Sequence, residues 1–500
     1  MLFNSYQFLI FFPLVVLIYF LIPQRFRYIW VLISSYYFYM CWSAPYALLL
    51  AASTLITYGG SVAVSRVRKR FPEEEAGRRK KWCVSLLAIT FSLNLFILIF
   101  FKYSGFVLDY LNQLMNRAGL VFSKPEFDIL LPVGISFYVF QALGYSVDVY
   151  RGDVEAETNV LRYAAFVSFF PQLVAGPIER SSNLLRQFYE KHSFDLERVK
   201  RGLMLMIWGY IQKMVVADRL SVLVDQVFAG SSVYGSVELL TGAVFFAFQI
   251  YCDFAGYSNI AIGAAQVMGF RLMENFNCPY LARSVAEFWR RWHISLSTWF
   301  RDYLYFPLGG SRCGKKRHYA NLMIVFLTSG LWHGASWTYI LWGGLNGIYQ
   351  VIGLWTKPAR EWCKKTFHIK DQVFSYRVLQ WIMTFFLIDL AWIFFRADTI
   401  GGAFSYLAAI AGRWNPWALF DGTLYTLGLE RTEFWIAAAS IVMLIAVDIL
   451  HYRGMKIRET LFVQQAWFRW AAVIGALMIL FVFGVYGPGF NAGQFIYFQF

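Results

Sequence analysis

Two of the six histidines stand where a side chain that carries protons can do chemistry. His333 lies in "SGLWHGASW" (329–337), between the apolar runs "NLMIVFLT" and "TYILWGGLNG". Ionisable groups in an apolar span are costly and usually face the interior of a helix bundle. Burial disfavours the imidazolium form, and a neutral imidazole with an available lone pair can take a proton from a hydroxyl. His333 is therefore read as a general base; the competing reading is a neutral ring hydrogen-bonded to a neighbouring helix. Gly334 would let a substrate approach the backbone. Ser336, three residues on, would share the helical face of His333, as half of a Ser–His couple or as a serine bonded to its own backbone.

His293 lies in "VAEFWRRWHISLSTWFRDYLYFPLGG" (285–310). Drawn as one helix, this segment puts Arg290, His293, Ser297 and Arg301 on one stripe, with Glu287 and Arg291 as an i, i+4 pair. Such a stripe suits a helix lying at the membrane interface. It equally suits a cavity wall that holds an anionic ligand such as a phosphorylated pantetheine arm. Asp253, in "QIYCDFAGYSNIAIG", is an acid inside an apolar run, so it should meet a cation or a backbone donor. Orienting a histidine or pairing with an arginine of the stripe are both open to it. Arg290, Ser297, Arg301, Asp253, Trp332 and Ser336 are the candidate substrate and donor contacts around the two histidines. His192, His318, His368 and His451 sit in or beside charged loops and are read as solvated. Cysteine spacing includes no CxxC pair, so no metal site and no disulfide framework is expected. There is no Walker A loop, HExxH, GxSxG or HxxxxD motif.

The elements that must position these residues are helices in a membrane. The chain is 58% hydrophobic and 15% charged over 500 residues, with mean hydropathy +0.48, where a soluble domain carries about 25% charged residues. Its apolar runs are continuous, not alternating with period two, and several approach the ~20 residues that cross a bilayer as a helix. An all-α polytopic protein follows. Expected spans are 7–22, 28–42, 45–64, 82–101, 130–149, 160–176, 202–224, 238–268, 319–333, 336–355, 378–396, 434–450 and 468–486. Some of these are re-entrant or amphipathic, leaving about eleven that cross. The net charge of +15 is concentrated in short loops such as 66–81 and 312–318. That is the signature of cytoplasmic loops, not of nucleic-acid binding. It places "QRFR" (24–27) and 66–81 inside and the N-terminus outside. The first segment reads as a retained span, not a signal peptide. Breaks at "LPVGISFY" (131–138), "FPQLVAGPIER" (170–180) and "YFPLGGSR" (305–312) mark a cavity-forming middle, because non-helical backbone at membrane depth must be buried in protein or line a wet cavity.

These stretches, with the opening "MLFNSYQFLIFFPLVVLIYFLIP", "FNCPYLARSVAEFWRRWHISLSTWFRDYLYFPLGGSR", "LTSGLWHGASWTYILWGGLNG" and the terminal "FIYFQF", resemble the membrane-bound O-acyltransferase superfamily, in its bacterial alginate O-acetyltransferase-like branch. In this branch "YCDF.GYS" often continues with Asp, where this chain has Asn259. The resemblance covers nearly the whole chain and implies one integral-membrane domain over 1–500: wall spans in 1–117, a catalytic core in 130–397 and C-terminal spans in 398–500. It implies a ring of helices around a central funnel, with His333 as the essential histidine and His293 as the second functional position. It also implies transfer of an acyl group, usually acetyl, from a cytoplasmic thioester such as acetyl-CoA, with no bound cofactor, toward an extracytoplasmic polysaccharide. The setting would be the bacterial plasma membrane and its lipids, and the partner a separate extracytoplasmic acetyltransferase resembling serine hydrolases. Two other readings stand beside it: D-alanyl transfer to teichoic acid, and a transporter with a polar site at a helix break.

Overall fold

The computed structural model describes residues 1–120, 132–486 and 496. The start of the span expected at 130, the first residue of "LPVGISFY" and, Ile496 apart, the terminal "FIYFQF" lie outside the described residues. Two compact units are formed, one from Met1–Leu203 and Ala261–Met273, the other from Met204–Ile260 and Glu274–Ile496. Every regular element among the described residues is helical.

The first unit holds α1 (Tyr6–Leu21), α2 (Gln24–Met40), α3 (Ala44–Arg70), α4 (Ala76–Arg117), α5 (Ile135–Arg151), α6 (Val160–Ser168), α7 (Phe170–Leu173) and α8 (Ser181–Gln187). Local chemistry sets many of the ends. Ser5 accepts the Phe8 N–H to start α1, and Asn159 accepts from Leu161 and Arg162 to start α6. Arg68, Lys69 and Arg70 close α3, where cations favour the negative end of the helix dipole. The single span expected at 160–176 is interrupted at Phe169. Pro171 has no N–H for the helix ladder, and its ring would clash with the carbonyl four residues back. His192 is a second correction. It is buried, with Nε2 on the Gln187 carbonyl at 2.9 Å and its ring 4.6 Å from that of Phe270.

α9 (Leu196–Tyr210) leads into a π-helical turn, Ile211–Ala217, and then α10 (Asp218–Ala229). α11 (Ser236–Met268) belongs to the second unit as far as Ile260 and to the first from Ala261, and the second unit continues with α12 (Val285–Arg291), α13 (Ile294–Phe300), α14 (Gly314–His333), α15 (Trp337–Trp355) and α16 (Lys357–Thr366). It ends with α17 (Phe374–Arg396), α18 (Ile400–Gly412), α19 (Arg431–Tyr452), α20 (Ile457–Val463) and α21 (Ala466–Phe483). Among the described residues, six helices are long and apolar enough to cross a bilayer: α3, α4, α11, α17, α19 and α21. α11 is buried along most of its length, which is why it can carry Asp253 where a lipid-facing helix could not.

α14 and α15 form a tight antiparallel pair because glycines remove the side chains between them. A Cβ on Gly330 would lie 2.3 Å from the Tyr339 carbonyl oxygen, and one on Gly343 would lie 2.3 Å from that of Phe326. This is close packing through small residues, as membrane helices use it. Between the two helices, a Cβ on Gly334 would lie 2.2 Å from the Tyr339 ring. That space is filled by protein, so Gly334 serves the packing of its own hairpin and not the approach of a substrate.

Candidate active site

His333 is the last residue of α14, and its ring folds back along the helix. Nδ1 lies 2.7 Å from the Ser329 carbonyl oxygen, one turn earlier. A carbonyl can only accept, so Nδ1 carries the proton and, in the neutral ring, the lone pair falls on Nε2. The side chain is buried. Its ring stands edge-on to Trp332 and Trp342, each at 4.9 Å, and 5.6 Å from Phe395. This apolar wall continues through Trp342 to Trp392 and on to Trp292.

His293 reaches the same wall from another element. The expected continuous helix over 285–310 breaks instead: α12 stops at Arg291 and α13 starts at Ile294. Between them His293 adopts a left-handed backbone, φ 43°, which costs a residue bearing a Cβ about 1–2 kcal/mol. The loop after α11 holds the break in place. Asn277 N–H donates to the Arg291 carbonyl and Ile294 N–H to the Asn275 carbonyl, both at 2.9 Å. The Asn275 side chain then organises three groups. Its Oδ1 accepts from Ser295 N–H at 3.3 Å and Ser295 Oγ–H at 2.9 Å, and it lies 3.1 Å from His293 Nδ1. An atom that accepts a backbone N–H is the amide oxygen, so His293 Nδ1 donates to it. Here too the neutral ring has its lone pair on Nε2. His293 lies in this break, outside the six apolar helices. Burial, with the nearby His333 ring as a lesser cause, holds it well below the ordinary histidine range.

The two imidazoles are brought together around one indole. The Trp332 ring lies 5.9 Å from His293 and 4.9 Å from His333, and Phe254 closes the other side of His293 at 4.6 Å. The site is thus two buried rings of matching tautomer in an aromatic enclosure. Neither belongs to a metal-ligating group among the described residues. One further polar atom is notable: Asn275 Nδ2 is buried with no hydrogen-bond partner among the described residues.

The other expected contacts separate. The break scatters the stripe, because positions three and four apart share a face only within one helix. Arg290 and Arg301 are exposed, Arg301 pairing with Asp302 at 2.8 Å. Ser297 Oγ donates to the Trp292 carbonyl. Ser336 does not share a helix with His333, since α14 ends there. It caps α15 instead, accepting the Thr338 N–H at 3.3 Å.

Asp253 meets a cation, but not an arginine and not a histidine. Lys213 Nζ lies 2.6 Å from Asp253 and 2.8 Å from Asp218, with all three side chains buried. Asp253 Oδ2 also accepts the Ile496 N–H at 2.8 Å. Lys213 sits in the π-helical turn, which re-aims it, and Gly209 lets the α11 backbone approach: a Cβ there would lie 2.6 Å from the Gly256 carbonyl oxygen. Asn259 donates to Gln212 Oε1 at 2.7 Å. Sequence reasoning missed Asn275, Ser295, Trp342 and Lys213. Lys213 was detectable as a lone lysine inside the apolar run 202–224; the other three carry no local signal.

Residues 154–397, which include both histidines, match the sequence profile of the membrane-bound O-acyltransferase family. The probable alginate O-acetylase of Pseudomonas syringae pv. tomato is 40% identical over 446 residues, covering 88% of this chain and 81% of that protein. The peptidoglycan O-acetyltransferase of Helicobacter pylori is 32% identical over 435 residues, covering 81% and 76%. The teichoic acid D-alanyltransferase of Streptococcus thermophilus is 30% identical over 233 residues, covering 44% and 56%. An acyltransferase built of apolar helices, and similar to these relatives over most of its length, this multi-pass membrane protein belongs to the membrane-bound O-acyltransferase family.

Proposed function

We propose that the protein transfers an acetyl group from a cytoplasmic thioester such as acetyl-CoA toward hydroxyls of an extracytoplasmic polysaccharide, with His333 as general base. The observation that carries this reading is the His333 Nδ1–Ser329 bond, which leaves Nε2 as the basic atom of a buried ring beside His293. In the proposed step the acceptor oxygen attacks the thioester carbonyl carbon while its proton passes to His333 Nε2. The C–S bond then breaks, and the leaving thiolate takes the proton back from the imidazolium. His293 and the backbone N–H groups at the helix break are two candidates to stabilise the oxyanion. With its Nδ1–H committed to Asn275, the neutral His293 ring has no N–H left to offer at Nε2, so it positions the acceptor hydroxyl by accepting from it. The buried Nδ2 of Asn275 is the donor proposed for the oxyanion, a role worth about 3–4 kcal/mol where it has been measured. The exposed guanidinium groups of Arg290 and Arg301 are proposed contacts for the phosphates of the donor.

Acetyl is favoured over D-alanyl because the O-acetylating relatives match most of the chain and the D-alanyl relative less than half. With this function go the finer proposals: about eleven crossings around a funnel in one domain with its core in 130–397, an extracytoplasmic N-terminus in the bacterial plasma membrane, and a serine-hydrolase-like partner outside. No bound cofactor is needed. The test is His333→Ala, read by mass spectrometry of surface polysaccharide. O-acetylation should fall by at least about 10²-fold while the variant accumulates in the membrane at the wild-type level. Retained acetylation would refute the base assignment.

A further inference from the structure

Cys278, Asp448 and His451 come together in the second unit, and none of them is a partner of His293 or His333 described above. Their ligand atoms, a sulfur, a carboxylate oxygen and an imidazole nitrogen, all lie within 4.8 Å of one another. Asp448 and His451 are i, i+3 on α19 and share a face. Cys278 arrives from the loop after α11 and adopts φ 46°, the left-handed region that a cysteine seldom enters. We infer that this cluster is a binding site for a divalent transition ion of the zinc type.

The donor set is the first argument. One thiolate, one imidazole and one carboxylate match what zinc takes, and a tetrahedral ion holds such atoms about 3.3–3.6 Å apart at its usual bond lengths. The exposed His451 ring has the freedom to close that difference, whereas Cys278 and Asp448 are buried. The surroundings are the second. Tyr251 Oη donates to the Asp448 carboxylate at 3.1 and 3.3 Å, the outer hydrogen bond that orients a ligating carboxylate. Two cations lie near: Arg291, beside Cys278, is already neutralised by Glu287 at 2.9 Å, while Arg458 acts on His451 and is the positive charge a bound ion would sit beside. Exposed Glu274 lies within electrostatic reach of both Cys278 and His451 and, with water, is available for the fourth position.

The third argument is what the ion would join. Arg291 donates to the Asn277 carbonyl and stacks on Tyr452 at 5.1 Å, so loop and helix end already meet here. The same loop carries Asn275, which holds His293. A metal at Cys278 would pin that loop to α19, acting on the loop and touching no substrate. The inference does not rest on acyl transfer, and its readout is metal content.

Full-length protein in detergent, stripped with EDTA and dialysed against Zn²⁺, should retain roughly one Zn²⁺ per chain. Cys278→Ser and His451→Ala should lose it. Because these variants can fail to fold, the wild type provides an independent measurement. Zn²⁺ should protect Cys278, among the six cysteines, from alkylation read by mass spectrometry, and Co²⁺ should give a thiolate charge-transfer band. Wild-type protein that retains no zinc, zinc retained in both variants, or alkylation of Cys278 unchanged by Zn²⁺ would overturn the inference.

Discussion

Asn275→Ala tests how the second histidine is held. The Oδ1 atom of Asn275 serves three buried donors: the Ser295 N–H, the Ser295 hydroxyl and His293 Nδ1–H. Alanine strands all three. Each buried group left without a partner costs about 1–3 kcal/mol. With water entering the vacated space and rescuing some of them, the loss of stability should be about 2–4 kcal/mol. The kinetic cost is separate. His293 loses the bond that sets its tautomer and angle, and misplacement of this kind costs about 10²-fold. Loss of the Nδ2 donor should deepen the fall. Ser295→Ala is the internal control. It removes one donor while Oδ1 keeps two, so it should cost about 1 kcal/mol or less and change the rate only a few-fold. The assays are thermal unfolding in detergent followed by tryptophan fluorescence, and single-turnover acyl transfer from a thioester donor. If Asn275→Ala transfers at the wild-type rate, or if Ser295→Ala is equally damaging, the argument that Asn275 organises the site is wrong.

Three further outcomes are expected. His293→Gly should be as inactive as His293→Ala yet unfold later, because glycine accepts φ 43° without the penalty of about 1–2 kcal/mol; equal stability of the two would remove the strain argument. Lys213→Met leaves Asp218 and Asp253 buried without their cation and should cost about 3–5 kcal/mol, seen as reduced accumulation and earlier unfolding; unchanged unfolding would show that the triad is not buried as described. Burial pushes the Glu179 carboxyl, in the loop before α8, up to about 7 from 4.5. A raised acid pKa stabilises the fold below the ordinary carboxylate range and loses that contribution as pH rises through about 7. Glu179→Gln should therefore flatten the change in unfolding temperature across that window, and an unchanged pH profile would count against it.

Hydropathy alone was enough to locate most of the helices, because crossing or being buried in a bilayer demands a continuous apolar run and such runs are local. Thus 7–22 became α1, 238–268 became α11 and 468–486 became α21, each within a few residues. The burial of His333 was legible for the same reason, as a titratable ring placed inside an apolar run. What the sequence could not settle were the interruptions. Nothing local in 285–310 reveals that the helix stops at His293. The cause is Asn275, Asn277 and their hydrogen bonds from another loop, and the stripe of Arg290, Ser297 and Arg301 dissolves with it. The partner of Asp253 was equally hidden. Its charge required a cation or a backbone donor, but only the packing of Gly209 against Gly256, together with the π-helical turn, selects Lys213. Periodicity and solvation cost are properties of a segment and can be read along it. The choice of partner for a buried polar group is a property of the closed fold, where distant residues compete for the same few ångströms.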